Sequence, residues 1–112
     1  MKLNDLFDHI YCINLDRRED RWNASLAEFS RIGLNDVERF SAVDGSVISP
    51  PSHLVPGEIG VILSNLSVII DAYRKGYERI LILEDDIRFS DNFVNDFDSW
   101  SSEIPSDWQM LY

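Results

Sequence analysis

At 112 residues the chain is long enough for one compact domain and not for two. Hydrophobic residues make up 45%, an ordinary share for a folded protein, and 20 acids against 10 Lys and Arg give a net charge of −10. That charge argues against duplex DNA or an anionic membrane surface as a partner, and the single cysteine, Cys12, excludes an internal disulfide and a thiolate-built zinc site.

The opening "MKLNDLFDH" carries charges where a secretion signal needs an apolar core, and no apolar run approaches the roughly 18–20 residues that span a bilayer. The expectation is a soluble, cytoplasmic domain. "HIYCIN" (9–14) is apolar and β-prone and reads as the first strand, with Cys12 as a buried structural thiol. Asp16 with Glu19 three residues on reads as a capping-box helix start. Trp22, Leu26 and Phe29 then fall on one helical face, and Gly33 is the stop. "VERFSAV" (37–43) reads as the second strand, ending in the turn Asp44-Gly45. Residues 46–56 hold three prolines and three serines and read as a loop, with Pro56 suited to the first turn of a helix.

From 57 to 75, Ile59, Ile62, Leu63, Leu66, Ile69, Ile70 and Tyr73 form a helical stripe, expected to pack on a sheet until Gly76 ends it. "RILIL" (79–83) is apolar on both faces, as in a central parallel strand. Phe93, Phe97 and Trp100 mark a short helix, and "DWQMLY" (107–112) reads as a fourth strand. The alternation of strands and helices implies an α/β fold with a mostly parallel sheet and flanking helices. The last strand has no connection after it, so the expectation is one domain over residues 1–112, truncated at its carboxyl end. Its exposed edge would favour self-association.

In parallel sheets ligands bind outside the carboxyl ends of the strands. That edge receives Asn14-Leu15-Asp16-Arg17, Asp44-Gly45 and the run Glu84-Asp85-Asp86. Charge gathers there: residues 84–112 hold eight acids and one base, Arg88. Side chains alternate along an extended chain, so Glu84 and Asp86 share a side and Asp85 opposes them. Two unit charges ~4 Å apart near a protein surface repel by ~4 kcal/mol at an effective dielectric of ~20. Binding a hard cation relieves this, and acid-x-acid at a strand end suits Mg²⁺ or Mn²⁺, whose other positions go to water and phosphate oxygens. A solvated acidic turn is the plainer alternative. No glycine-rich phosphate loop is present, so a bound diphosphate would be neutralised by metal and by arginines, with Arg17, Arg18 and Arg21 as candidates.

Taken in order, "YCINLDRREDRW", "ERFSAVDG", "GEIGVILSNLSV", "LILEDDIRF" and "PSDWQMLY" resemble the blocks of glycosyltransferase family 25, the lipooligosaccharide-type and collagen galactosyltransferases. The resemblance covers nearly the whole chain. It implies a GT-A-like, Rossmann-like fold, Mn²⁺ or Mg²⁺, and inverting transfer of a sugar, commonly galactose from UDP-galactose, to an acceptor hydroxyl in lipopolysaccharide or glycan biosynthesis. It places donor contacts at Asn14, Leu15, Arg17 and Arg21, at Asp44 and Gly45, and at Glu58, Ser64 and Asn65. It places the metal at Glu84 and Asp86, with Asp85 between them. The family's Ser-His pair stands here as Ser64-Asn65, and an uncharged amide cannot act as acid or base near neutral pH. An inverting transfer needs a base for the acceptor hydroxyl, and neither His9, at the opposite edge, nor His53, in the loop, fits that role.

Two rival readings stand beside this one. A truncated or inactive domain of the same fold would act as a nucleotide-binding or interaction module. A phosphoacceptor domain of receiver type also places Asp at strand ends, but its acidic pair after the first strand is lacking and Lys75 precedes the third strand.

Overall fold

The computed structural model describes residues 2–47 and 53–111. Seven elements alternate along them: α1 (Leu3–Leu6), β1 (His9–Asn14), α2 (Glu19–Arg31), β2 (Val37–Ser41), α3 (Pro56–Lys75), β3 (Ile80–Glu84) and α4 (Phe93–Trp100). Single 3₁₀ turns cover Gly45–Val47 and Ser101–Glu103. The sheet is three-stranded and parallel, in the order β2-β1-β3. β1 is therefore central, and from Ile10 to Asn14 every residue is buried. The chain places β2 on one side of β1 and β3 on the other. The reversal in strand order thus falls beside β1, where open α/β sheets form their ligand crevice.

Two apolar layers cover the sheet. Ile10, Cys12, Phe29, Leu34, Leu83 and Phe97 pack together on one face, joined by Leu6 and Phe7. Tyr11, Ile13, Val68 and Ala72 pack on the other, with Phe40, Ile80 and Ile82 at their margin. The parity of β1 produces this division, since successive side chains point to opposite faces. Both predicted glycine stops hold, with Gly33 at φ +72° and Gly76 at φ +78°, the left-handed conformation that closes a helix without a Cβ penalty. Pro56 opens α3, where its missing N–H costs nothing.

Four expectations need correction. The stripe on α3 is not the buried face: Ile62, Leu66, Ile69, Ile70 and Tyr73 are exposed, and Gly60, Ser64, Val68 and Ala72 are buried together with Ile59. These four recur every four residues, and their small size lets the helix approach the sheet closely. On α2 the inward residues are Trp22, Ser25 and Phe29, while Leu26 is exposed. Asp16 does not cap α2, whose N-cap is Arg18. Its carboxylate instead accepts hydrogen bonds from Arg39 and Ser41 of β2, both at 2.7 Å. Residues 107–111 form no strand. Trp108 is held edge-on to Phe7 with centroids 6.1 Å apart and under the Arg79 guanidinium at 6.0 Å, so side-chain packing and not a strand ladder anchors the segment. β3 is consequently the outer strand on its side among the described residues. The predicted loop at 46–56 lies partly outside the described residues, which omit 48–52, and Tyr112 of the predicted fourth strand lies outside them too.

Candidate active site

At the carboxyl edge of the sheet a pocket of about 320 Å³ opens between the turns after β1, β2 and β3 and the first turns of α3. Leu15, Arg17 and Arg21 line it from the β1 side, and Asp44 and Gly45 from the β2 side. Ser64 and Asn65 line it from α3, and Glu84, Asp85 and Asp86 from β3. Ten of the thirteen residues singled out in the sequence therefore meet in one cavity, although they come from four separate stretches of chain. Asn14, Arg18 and Glu58 do not line it, and Arg18 pairs instead with Asp20 at 2.9 Å. Asn14 is 1% exposed and lies beneath the pocket. Glu58 turns back to accept the Val55 N–H at 3.3 Å, capping the start of α3.

The turn after β2 is built around Asp44. Its carboxylate accepts both the Ser46 N–H at 3.0 Å and the Ser46 hydroxyl at 2.6 Å, and Arg17 Nε approaches its other oxygen at 3.4 Å. The Ser46 bonds, and then Arg17, hold the Asp44 carboxyl below the usual carboxylate range. Ser64, 2% exposed, secures the same turn to α3: its oxygen accepts the Val43 N–H at 2.8 Å, and its hydroxyl donates to the Gly60 carbonyl at 2.6 Å. Asn65 donates to the Val61 carbonyl at 2.9 Å.

After β3 the three carboxylates differ in exposure and partners, with Asp85 and Asp86 lying in the turn that follows the strand. Asp85 turns inward, accepting from Asn14 Nδ2 at 2.7 Å and meeting Arg21 Nη1 at 3.5 Å. The Ser25 hydroxyl donates to the Asp85 carbonyl at 3.0 Å, so α2 holds this turn by main chain and side chain together. Glu84 and Asp86 are exposed, and among the described residues neither carboxylate is engaged by an ion pair or hydrogen bond. The loop that follows is tied to α2 as well: Glu28 accepts the Phe89 N–H at 2.7 Å and pairs with Arg31 at 2.6 Å.

The donor set bears on the choice of metal. No three His, Cys, Asp or Glu among the described residues are grouped so as to hold a metal ion, so a closed zinc cage is not built there. Two uncommitted carboxylates facing a pocket with two arginines suit a hard cation that takes one or two carboxylates and completes its shell with water and phosphate oxygens. The residues fit Mg²⁺ or Mn²⁺ on those terms.

Sequence reading missed Arg39, Ser25 and Ser46. Arg39 lies within β2, yet its guanidinium reaches Asn14 Oδ1 at 2.9 Å and the Asn14 carbonyl at 3.3 Å. A cation in the middle of a strand was the available signal. Ser25 is a buried hydroxyl on a helix face otherwise read as Trp, Leu and Phe, and nothing in the pattern marks it.

A parallel α/β sheet with flanking helices and a polar pocket at its carboxyl edge is a Rossmann-like arrangement, compatible with a glycosyltransferase fold. The sequence profile described as "Glycosyltransferase family 25 (LPS biosynthesis protein)" matches residues 7–112, and the chain belongs to this family. Among curated relatives, a "Glycosyltransferase 25 family member" of Anopheles gambiae is 39% identical over 104 residues, covering 76% of this chain and 17% of the relative. A "Procollagen lysyl hydroxylase and glycosyltransferase" of Acanthamoeba polyphaga mimivirus is 34% identical over 137 aligned positions, covering 96% of this chain and 15% of the relative. "Procollagen galactosyltransferase 2" of Mus musculus is 30% identical over 128, covering 95% and 20%. The chain thus spans a fifth or less of the length of these relatives. No solved structure matches significantly. No helix among the described residues is long and apolar enough to cross a membrane.

Proposed function

We propose that this domain carries the donor site of a metal-dependent glycosyltransferase that moves a sugar, galactose from UDP-galactose, to the hydroxyl of a saccharide acceptor. The observation that carries the reading is the meeting, in one carboxyl-edge pocket, of the uncommitted pair Glu84 and Asp86 with Arg17 and Arg21. The printed name of the mouse relative supports galactose, and the family's description supports a lipopolysaccharide-type acceptor.

Glu84 and Asp86 would hold Mn²⁺ or Mg²⁺. When bound, the cation would act as a Lewis acid toward the charge developing on the leaving nucleotide. Arg17 and Arg21 lie about 3.4 and 3.5 Å from Asp44 and Asp85, long enough to exchange those partners for phosphate oxygens. The turn Val43–Gly45, pinned by Ser64, offers main-chain groups to the nucleoside end of the donor.

A second reading, a nucleotide-binding module without transfer, is favoured by one observation. Asn65 lines the pocket where the family resemblance expects a histidine, and its amide cannot exchange a proton near neutral pH. Calorimetric titration of UDP and UDP-galactose, with and without Mn²⁺, on the wild type and on Asp86→Ala tests the donor site. Metal-dependent binding lost in Asp86→Ala is expected. Absence of binding to the wild type would sink the proposal, and binding without release of galactose to any acceptor or to water would favour the module.

A further inference from the structure

Three carboxylates stand in a row after β3, and one of them is spoken for. Asp85 accepts from Asn14, and Asn14 is in turn held by Arg39. The chemistry of these three groups leaves a single arrangement. A guanidinium only donates and a carboxylate only accepts, while a side-chain amide has one end of each kind. Arg39 therefore captures Asn14 Oδ1 at 2.9 Å, which obliges Nδ2 to face Asp85 at 2.7 Å and the Arg18 carbonyl at 3.1 Å. Arg39 also bonds Asp16, at 2.7 Å, so its own position is set from two sides. The amide is 1% exposed, and water does not compete for it.

We propose that Arg39 and Asn14 are positioning residues for the metal site: through Asp85 they fix the turn that presents Glu84 and Asp86, and Asp85 is a brace and not a ligand. The inference rests on the metal reading given above and deepens it. With Asp85 drawn toward β1, its two exposed neighbours line the pocket from the same turn. Without the relay, Asp85 keeps only the 3.5 Å approach of Arg21 and the Ser25 bond to its carbonyl, and the geometry of the pair loosens. Groups that orient metal ligands from behind commonly contribute ten- to a hundredfold to metal affinity.

The test is titration of Mn²⁺ followed by the loss of its free-ion paramagnetic resonance signal, with thermal melts and side-chain amide exchange measured on each variant. In the wild type, Mn²⁺ binds and the Asn14 NH₂ protons exchange slowly. Asp86→Asn weakens Mn²⁺ at least tenfold. Asp85→Asn stays within about threefold of wild type, because its amide oxygen still accepts from Asn14. Arg39→Met weakens Mn²⁺ by about tenfold or more and speeds Asn14 exchange, and Arg39→Lys, which keeps a cationic donor group but not the guanidinium fork, recovers part of both. If Asp85→Asn loses Mn²⁺ as severely as Asp86→Asn, Asp85 is a ligand and the inference alone is overturned. Wild-type affinity in Arg39→Met would also overturn it alone. Failure of the wild type to bind Mn²⁺ would overturn the metal reading and the inference together. Should Arg39→Met not fold, Asp85→Asn and Arg39→Lys still decide the question.

Discussion

Gly45 and Pro56 approach more closely than any side chain would allow: a Cβ on Gly45 would lie 1.7 Å from the Pro56 carbonyl oxygen. This contact presses the turn after β2 onto the start of α3 and closes one wall of the pocket. Gly60 makes the reciprocal contact, its added Cβ falling 2.8 Å from the Val43 oxygen. Gly45→Ala is expected to push the Asp44–Val47 turn off the helix, at a cost of roughly 1–3 kcal/mol, and to weaken UDP binding. Gly60→Ala should cost less, since its overlap with the Val43 carbonyl is smaller, although main chain must still move to admit it. Denaturant melts and UDP titration of both variants check the order, and equal stability of Gly45→Ala and wild type would contradict the packing described here.

The inverted helix α3 makes a second prediction. Val68 is fully buried against Tyr11 and Ile13, whereas its neighbour Ile69 is 53% exposed. Val68→Ala should destabilise by about 2 kcal/mol from lost burial and the cavity left behind. Ile69→Ala removes more atoms and yet should cost roughly half as much or less. Urea denaturation of the two variants measures the difference, and the reverse ranking would restore the apolar stripe as the core face.

Acid should destabilise the fold through Glu28. Its pairing with Arg31, followed by the bond from the Phe89 N–H, lowers its pKa to about 2. A carboxylate depressed in the folded state binds its proton more readily when unfolded, so stability rises with pH across the interval between the two values. The contribution is complete above the ordinary carboxylate value and is lost as pH falls toward 2. Melting temperatures should accordingly hold above about pH 5 and fall steadily below it. Glu28→Gln should flatten part of that fall while lowering the plateau, which thermal melts from pH 7 to pH 2.5 would reveal.

Cys12 should be inert in the folded protein. It is fully buried in β1, and burial, with the nearby Asp85 charge, pushes its thiol up to about 12. An aromatic disulfide reagent at pH 8 should leave it unmodified until urea unfolds the chain, when one thiol per molecule reacts. Prompt native labelling would mean that the central strand opens far more readily than its packing implies.

Much of this architecture is legible without coordinates. "HIYCIN" is a strand because it is apolar and β-prone throughout, and its ends at His9 and Asn14 match the structure. Gly33 and Gly76 end helices because the left-handed conformation admits them readily. The candidate pocket is legible for a related reason. In a parallel sheet every strand's carboxyl end lies at one edge, so Arg17, Asp44 and Glu84 are neighbours once the strands are recognised, with no knowledge of a single contact.

Local pattern determined the kind and order of the elements from the first strand to the helix at Phe93, the parallel sheet, and the gathering of acids and arginines at one edge, though it missed the short helix Leu3–Leu6 and added a strand after residue 106. Only the tertiary structure decided which face of each helix finds a partner. Periodicity reports how apolar a face is, but not whether another surface meets it, and on α3 the small face Gly60-Ser64-Val68-Ala72 packs because it permits the closest approach to the sheet. The polar relay lay equally beyond reach of pattern. Arg39 and Asn14 are 25 residues apart, and Asn14 and Asp85 are 71 apart. Folding the strands side by side brings the three groups within hydrogen-bond distance, and the burial of Asn14 between the other two fixes which end of its amide each one takes.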